Sequence, residues 1–131
     1  MTHRFAVRVY YEDTDLAGIV YYANYLKFIE RGRSEWVREI GLDQGRLKAE
    51  TGIVFAVRRV EADYLSPARF DDLLTVETDL VRATAARLVL DQAVLRGDTR
   101  LFEAQVTLAA LGPEGRPARL PAEFRRSLET G

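Results

Sequence analysis

The residues Tyr22–Gly41, Tyr-Ala-Asn-Tyr-Leu-Lys-Phe-Ile-Glu-Arg-Gly-Arg-Ser-Glu-Trp-Val-Arg-Glu-Ile-Gly, decide how this chain folds. Leu26, Ile29, Arg33, Trp36, Val37 and Ile40 recur at three- and four-residue steps, the spacing of one helix face, and Gly41 follows as a stop signal. The pattern predicts one long helix from about Tyr22 to Ile40, with Trp36 its largest apolar contributor. Gly32 in its middle should cost about 1 kcal/mol relative to alanine, so a close backbone contact is expected there. A shorter helix is read over Asp43 to Glu50.

On either side the period drops to two. Phe5 to Tyr11 is β-rich and reads as a first strand. After Gly52 four more strands are read, at about 53–65, 73–82, 86–96 and 100–111. Leu74, Val76, Thr78 and Leu80 alternate with Thr75, Glu77 and Asp79, as do Phe102, Ala104, Val106, Leu108 and Ala110 with their neighbours: one dry face and one wet face. In the second strand the apolar parity slips across Arg58-Arg59, which predicts a bulge or bend. Gly112-Pro113-Glu114-Gly115 closes the sheet, and Pro121 is suited to the first position of a last short helix. The chain therefore reads as one α+β domain spanning residues 1–131, a five-stranded antiparallel sheet packed on one long helix. One helix cannot cover both faces of such a sheet, so burial of a face or edge by another subunit is expected.

Composition narrows the chemistry. The 131 residues are 47% apolar and 30% charged with a formal net charge of -1, which gives no electrostatic signature of nucleic-acid or anionic-membrane binding. With no cysteine, thiolate nucleophiles, disulfides and Cys-ligated metals are excluded. The one histidine, His3, lies near the N-terminus and reads as a solvated terminal residue, so a histidine-rich metal site is excluded too. No metal or organic cofactor is expected. No apolar run is long enough to span a membrane and no signal peptide is read, which implies a cytoplasmic protein. Catalysis would have to run on carboxylates, hydroxyls, arginines and backbone groups.

The most informative segment runs Tyr11-Glu12-Asp13-Thr14-Asp15-Leu16-Ala17-Gly18-Ile19-Val20-Tyr21-Tyr22-Ala23-Asn24-Tyr25. Three carboxylates stand within four residues, just before a glycine and a helix start. Helix starts present unpaired N–H groups and a partial positive charge, suited to a developing oxyanion. A nearby carboxylate would supply a base or nucleophile to the same small volume. Acidic residues here also suit simple capping, and spacing alone does not separate the two readings.

The stretch Arg8-Val9-x-Tyr11-Glu12-Asp13-Thr14-Asp15-x-x-Gly18-Ile19-Val20-Tyr21-Tyr22-x-Asn24-Tyr25, continuing to Glu30-Arg31-x-Arg33, resembles the signature of the 4-hydroxybenzoyl-CoA thioesterase family. It is most similar to the acyl-CoA thioesterase branch found with the bacterial Tol–Pal system. Tyr64-x-x-Pro67-Ala68-Arg69-x-Asp71-Asp72 and Leu120-Pro121 extend the resemblance over nearly the whole chain. It implies the hotdog fold, a curved antiparallel sheet around a long helix, and a homo-oligomer built as a dimer of dimers. It also implies hydrolysis of an acyl-CoA thioester to a free acid and CoA. Asp15 corresponds to the family's catalytic carboxylate, either attacking the thioester carbonyl or activating water. Tyr22 stands where the family uses a backbone N–H to polarise that carbonyl, and it replaces the histidine that many members of the Tol–Pal-associated branch carry.

Gly18, Ile19, Val20 and Tyr21 would shape the substrate site, with Tyr21, Phe28 and Phe55 as candidates for the acyl pocket. Arg58, Arg59, Arg69, Arg82 and Arg87 are candidates for the phosphates of CoA. Asp13 is expected to shape the loop, and Glu30 matches a family glutamate on the helix. The competing reading is a non-catalytic hotdog module that binds acyl-CoA or an acyl carrier protein. A hydratase would pair a carboxylate with histidine, and His3 alone makes that the weakest reading.

Overall fold

The apolar stripe of Tyr22–Gly41 forms α1 (Asn24–Glu39) in a computed structural model that describes residues 2–130. Its buried face carries Tyr25, Phe28, Ile29, Trp36 and Val37, and its last turn closes when the N–H groups of Gly41 and Leu42 donate to the carbonyls of Arg38 and Val37. Helix α2 (Gln44–Thr51) starts where the Asp43 carboxylate accepts the Arg46 N–H. Helix α3 (Ala122–Thr130) follows Pro121, whose carbonyl accepts from Phe124 and Arg125, so the helix begins one residue later than read.

The strands are β1 (His3–Arg8), β2 (Val54–Tyr64), β3 (Leu73–Ala83), β4 (Arg87–Arg96) and β5 (Thr99–Leu111), in one antiparallel sheet ordered β1-β3-β4-β5-β2. The alternation read in β3 and β5 is the inner face of that sheet. Leu74 and Val76 of β3, Leu88, Leu90 and Val94 of β4, and Phe102, Val106 and Leu108 of β5 meet α1 in the core. The parity slip at Arg58-Arg59 is a register shift between Val57 and Arg59 against β5. A second shift, between Leu80 and Arg82 against β4, had no comparable signal.

One polar knot lies within this core. The Gln92 side chain donates from Nε2 to the Ile29 carbonyl and to Thr78 Oγ1, both at 2.9 Å, tying α1 to β3 and β4. Close approach of α1 to the sheet is built on Gly32. A Cβ there would overlap Val76 Cγ1 and stand 3.1 Å from Val76 Cβ. The neighbour is thus a side chain of β3 rather than the backbone contact expected from the sequence.

Two other expectations are corrected. The first strand stops at Arg8 because the Asp13 carboxylate captures the Tyr10 N–H at 2.8 Å, turning Tyr11–Asp13 into a single 3-10 turn. His3 is not a solvated end. It pairs with Thr78 in the sheet, its side chain is largely buried, and its Nε2 lies 2.8 Å from Glu39 Oε2.

Helix α1 packs mainly over β1, β3 and β4 and meets β2 at Tyr64, whose ring lies against Tyr25, leaving much of the β2 inner face open. Val57, Val60 and Tyr64, on the inner face of that edge strand, are accordingly exposed. No described helix is long and apolar enough to cross a membrane.

Candidate active site

The segment from Thr14 to Val20 folds back on itself as a small hairpin. Thr14 bridges Val20, Asp15 N–H donates to the Ile19 carbonyl, and Gly18 N–H returns to the Asp15 carbonyl. Gly18 turns the chain with φ +78°, a conformation that a β-carbon would strain. The Asp15 side chain accepts the Ala17 N–H through Oδ1 at 2.9 Å, an Asx turn that fixes the carboxylate while its other oxygen makes no hydrogen bond among the described residues. Asp15 is exposed.

Asp13 holds the base of the hairpin, as expected. Its carbonyl accepts from Tyr21 N–H and from Asn24 Nδ2, both at 2.9 Å. Asn24 N–H in turn donates to the Tyr21 carbonyl at 2.8 Å. Between these two satisfied amides, the N–H groups of Tyr22 and Ala23 have no acceptor among the described residues. No side chain caps the start of α1. The helix start therefore offers free donors, the Tyr22 and Ala23 amides among them, and its positive end at the point where the Asp15 hairpin joins it.

Aromatic packing pins that junction to the sheet. The Tyr64 hydroxyl at the end of β2 donates to the Tyr22 carbonyl at 2.9 Å, and Tyr25 stacks on Phe102 at 5.1 Å. Burial pushes the Tyr25 and Tyr64 phenols above their ordinary pKa, so both stay neutral donors or acceptors. The Tyr21 phenol is also raised, chiefly by the adjoining Tyr22 hydroxyl and to a lesser degree by the charge of Asp15.

The mid-chain motif supports the hairpin from behind. Val20 N–H donates to the Ala68 carbonyl at 2.8 Å, Ile19 bridges Arg69, and Ala68 N–H is received by the Tyr25 hydroxyl. The segment is locked by Asp72, which accepts the Arg69 N–H and Arg96 Nη1, each at 2.9 Å. Burial alone would raise this carboxyl, but the Arg69 amide and the Arg96 guanidinium together hold it below the usual carboxylate range.

Asp15, Gly18, Ile19, Val20, Tyr21 and Tyr22 are thus one local unit. Of the five arginines proposed for CoA, Arg58, Arg59, Arg82 and Arg87 do not join it within one chain. Arg82 stands near the β3–β4 turn and Arg87 opens β4, whereas the hairpin is held at the other end of β3, about 30 Å away at ~3.3 Å per residue. Arg58 and Arg59 flank the β2 bulge, where Arg59 is paired with Glu61 at 2.8 Å. The basic side chain beside the hairpin is Arg69, which is exposed. Phe28 is fully buried in the core, Phe55 is half-buried, and Tyr21 is exposed. Sequence reasoning missed the Ala23 amide and the anchoring role of Tyr64. The first had a signal, since no cap-forming side chain occupies Ala23.

With this geometry in hand, the likeness to known proteins is specific. The sequence profile of the thioesterase superfamily matches residues 17–103. The chain is 40% identical over 129 residues to the acyl-CoA thioester hydrolase YbgC of Escherichia coli O6:H1, covering 94% of this chain and 96% of that protein. It is 38% identical to the acyl-CoA thioesterase YbgC of Haemophilus influenzae, covering 92% and 90%. The crystal structure of a probable thioesterase from Bartonella henselae superposes with a TM-score of 0.88 at 41% identity, over 92% of this chain and all of that one. The chain belongs to the thioesterase superfamily, and its fold is the hotdog arrangement of that family.

Proposed function

We propose that this protein hydrolyses an acyl-CoA thioester to a carboxylic acid and CoA, with the Asp15 carboxylate and the N–H groups of Tyr22 and Ala23 acting on opposite sides of the scissile carbonyl. The observation that carries the reading is the pairing of a fixed carboxylate having one free oxygen with two unsatisfied amides at an uncapped helix start, on adjoining segments of one loop. The amides would receive the carbonyl oxygen as it gains negative charge, a contribution whose loss typically costs 10²–10³ in rate, roughly, per donor. Asp15 would attack the carbonyl carbon, expelling CoA thiolate and leaving a mixed anhydride that water cleaves to the acid and free Asp15. In the other route it takes a proton from water, the hydroxide formed attacks the carbonyl carbon directly and expels CoA thiolate, and the proton held by Asp15 passes to the departing sulfur. A thiolate leaves without prior protonation near neutral pH, so no second acid is required.

One feature supports an assembled form. Strand β2 is a long edge whose inner face exposes Val57, Val60 and Tyr64, the surface that a second copy pairing along that edge would adjoin. Arg58 and Arg59 on that strand, out of reach of Asp15 in one chain, would then face the site of a neighbour, while Arg69 serves the phosphates from its own chain.

The test is release of CoA thiol from a panel of short aliphatic, long aliphatic and aromatic acyl-CoAs. Turnover on some member supports the hydrolase. Binding of CoA with no turnover on any member replaces it with a non-catalytic acyl-CoA-binding module.

A further inference from the structure

The flank of α1 that faces β2 leads away from the Asp15 hairpin, and it ends in a charge that forms no ion pair among the described residues. Tyr22, Leu26, Glu30 and Arg33 succeed one another at helical spacing, and β2 runs beside them in the opposite sense from Tyr64, bonded to the Tyr22 carbonyl, toward Val57 and Phe55. Leu26 is exposed on this flank, as are Val60 and Val57 opposite. At the far end lies a recess of about 140 Å³, lined by Arg33 and Glu30 and walled by Phe55, Val57, Leu88 and Leu108.

Arg33 is the anomaly there. It is half-buried, and burial pushes its pKa below the usual arginine value. One hydrogen bond holds it, from Nη1 to Gln92 Oε1 at 3.1 Å. None of the ion pairs among the described residues includes it. Glu30, one turn earlier on the exposed lip, offsets the burial without touching it. A partly desolvated cation whose nearest counter-charge is an exposed carboxylate one turn away, out of contact, is a standing cost that a bound anion would remove. A guanidinium has five N–H donors in a fork that fits a carboxylate, and here a single bond is made.

We propose that this recess takes the far end of the acyl group and that Arg33 binds a terminal carboxylate there, so that the preferred substrates are CoA half-esters of dicarboxylic acids. The proposal rests on the thioesterase reading above. Eleven residues separate Tyr22 from Arg33, about 16 Å of helix rise, and helical side chains lean back toward the N-terminus, which shortens the span to that of a medium-length diacid.

The experiment compares kcat/KM for glutaryl-, adipyl- and suberyl-CoA with that for hexanoyl- and octanoyl-CoA, in the wild type, Arg33→Met, Arg33→Lys and Glu30→Gln. A carboxylate-ended substrate should be favoured by about tenfold or more, the worth of a charge-assisted hydrogen bond. Arg33→Met should erase that preference through KM, Arg33→Lys should restore part of it, and Glu30→Gln should widen it. Free adipate should compete with octanoyl-CoA in the wild type and not in Arg33→Met. A wild type that prefers methyl-ended substrates overturns the proposal and leaves the thioesterase reading standing. Hydrolysis of neither series overturns both. Regulation by free adipate with no preference for carboxylate-ended thioesters makes the recess an effector site and overturns the acyl-end assignment. Unchanged selectivity, with Arg33→Met and Glu30→Gln weakening subunit association equally, makes Arg33 an interface ion-pair partner instead.

Discussion

Replacing Gly32 with alanine sets two effects of known size against each other. In an exposed helix interior the change would stabilise by about 1 kcal/mol, because glycine is the worse helix former. Here the new Cβ would overlap Val76 Cγ1, stand 3.1 Å from Val76 Cβ and touch Thr78 Oγ1 at 3.6 Å. Val76 and Thr78 are fully buried, and β3 is paired on both sides by β1 and β4, so the strand has little room to retreat. Overpacking of this kind costs typically about 1–3 kcal/mol, and the severity of the overlap argues for the upper part of that range. The net expectation is a destabilisation of about 1–2 kcal/mol. It would be read as a fall in the urea midpoint at unchanged slope, at fixed protein concentration. The clash has a single owner, so Gly32→Ala combined with Val76→Ala should lose less than the sum of the two single changes, with a favourable coupling of about 1 kcal/mol or more. A Gly32→Ala variant more stable than the wild type by about 1 kcal/mol would refute the close-approach argument.

Other consequences follow from the same structure. The folded state holds the Asp72 carboxyl below its unfolded value of about 3.9, so it binds fewer protons than the unfolded chain. Its stabilising contribution is therefore complete above pH ~4 and is lost as the pH falls toward the folded value; Asp72→Asn should flatten the acid limb of a stability–pH curve, and an unchanged limb would count against the Arg69–Asp72–Arg96 lock. Tyr64→Phe removes the hydrogen bond to the Tyr22 carbonyl, at a cost of about 0.5–1.5 kcal/mol in stability, and should lower kcat by roughly tenfold or more as the Tyr22 amide shifts. An unaltered kcat would mean that this anchor does not position the amide. Val60→Glu places a charge on the uncovered inner face of β2, and light scattering should show a particle smaller than that of the wild type; a wild type already at 14.9 kDa would remove the case for assembly.

What the sequence made legible was local in origin. The period of α1, its stop at Gly41, the alternation of β3 and β5 and the parity slip at Arg58-Arg59 each depend on near neighbours along the chain, and each is found in the structure. The hairpin within the Asp15–Tyr22 unit was legible for the same reason, since its own hydrogen bonds close within about ten residues, whereas its ties to Ala68, Arg69 and Tyr64 were not. What was not legible has long-range causes. The burial of His3 against Glu39 requires β1 to lie beside β3 under the end of α1, which no neighbouring residue announces. The separation of Arg82 and Arg87 from Asp15 follows from sheet order, and the role of Arg96 at Asp72 links residues on different strands and loops. Tyr11 reads as strand by propensity, yet it leaves the sheet because Asp13 competes for the Tyr10 amide and Tyr11 stacks on Phe70 at 4.2 Å.

The most direct test of the central claim is CoA release by Asp15→Asn alongside the wild type, with CoA binding measured by calorimetry on both. Asparagine keeps the size of the side chain and an oxygen to accept the Ala17 N–H while removing the charge that attacks carbon or draws a proton from water. The account predicts that kcat falls by several orders of magnitude while CoA affinity is unchanged. Turnover retained in Asp15→Asn, with the hairpin intact, would contradict it.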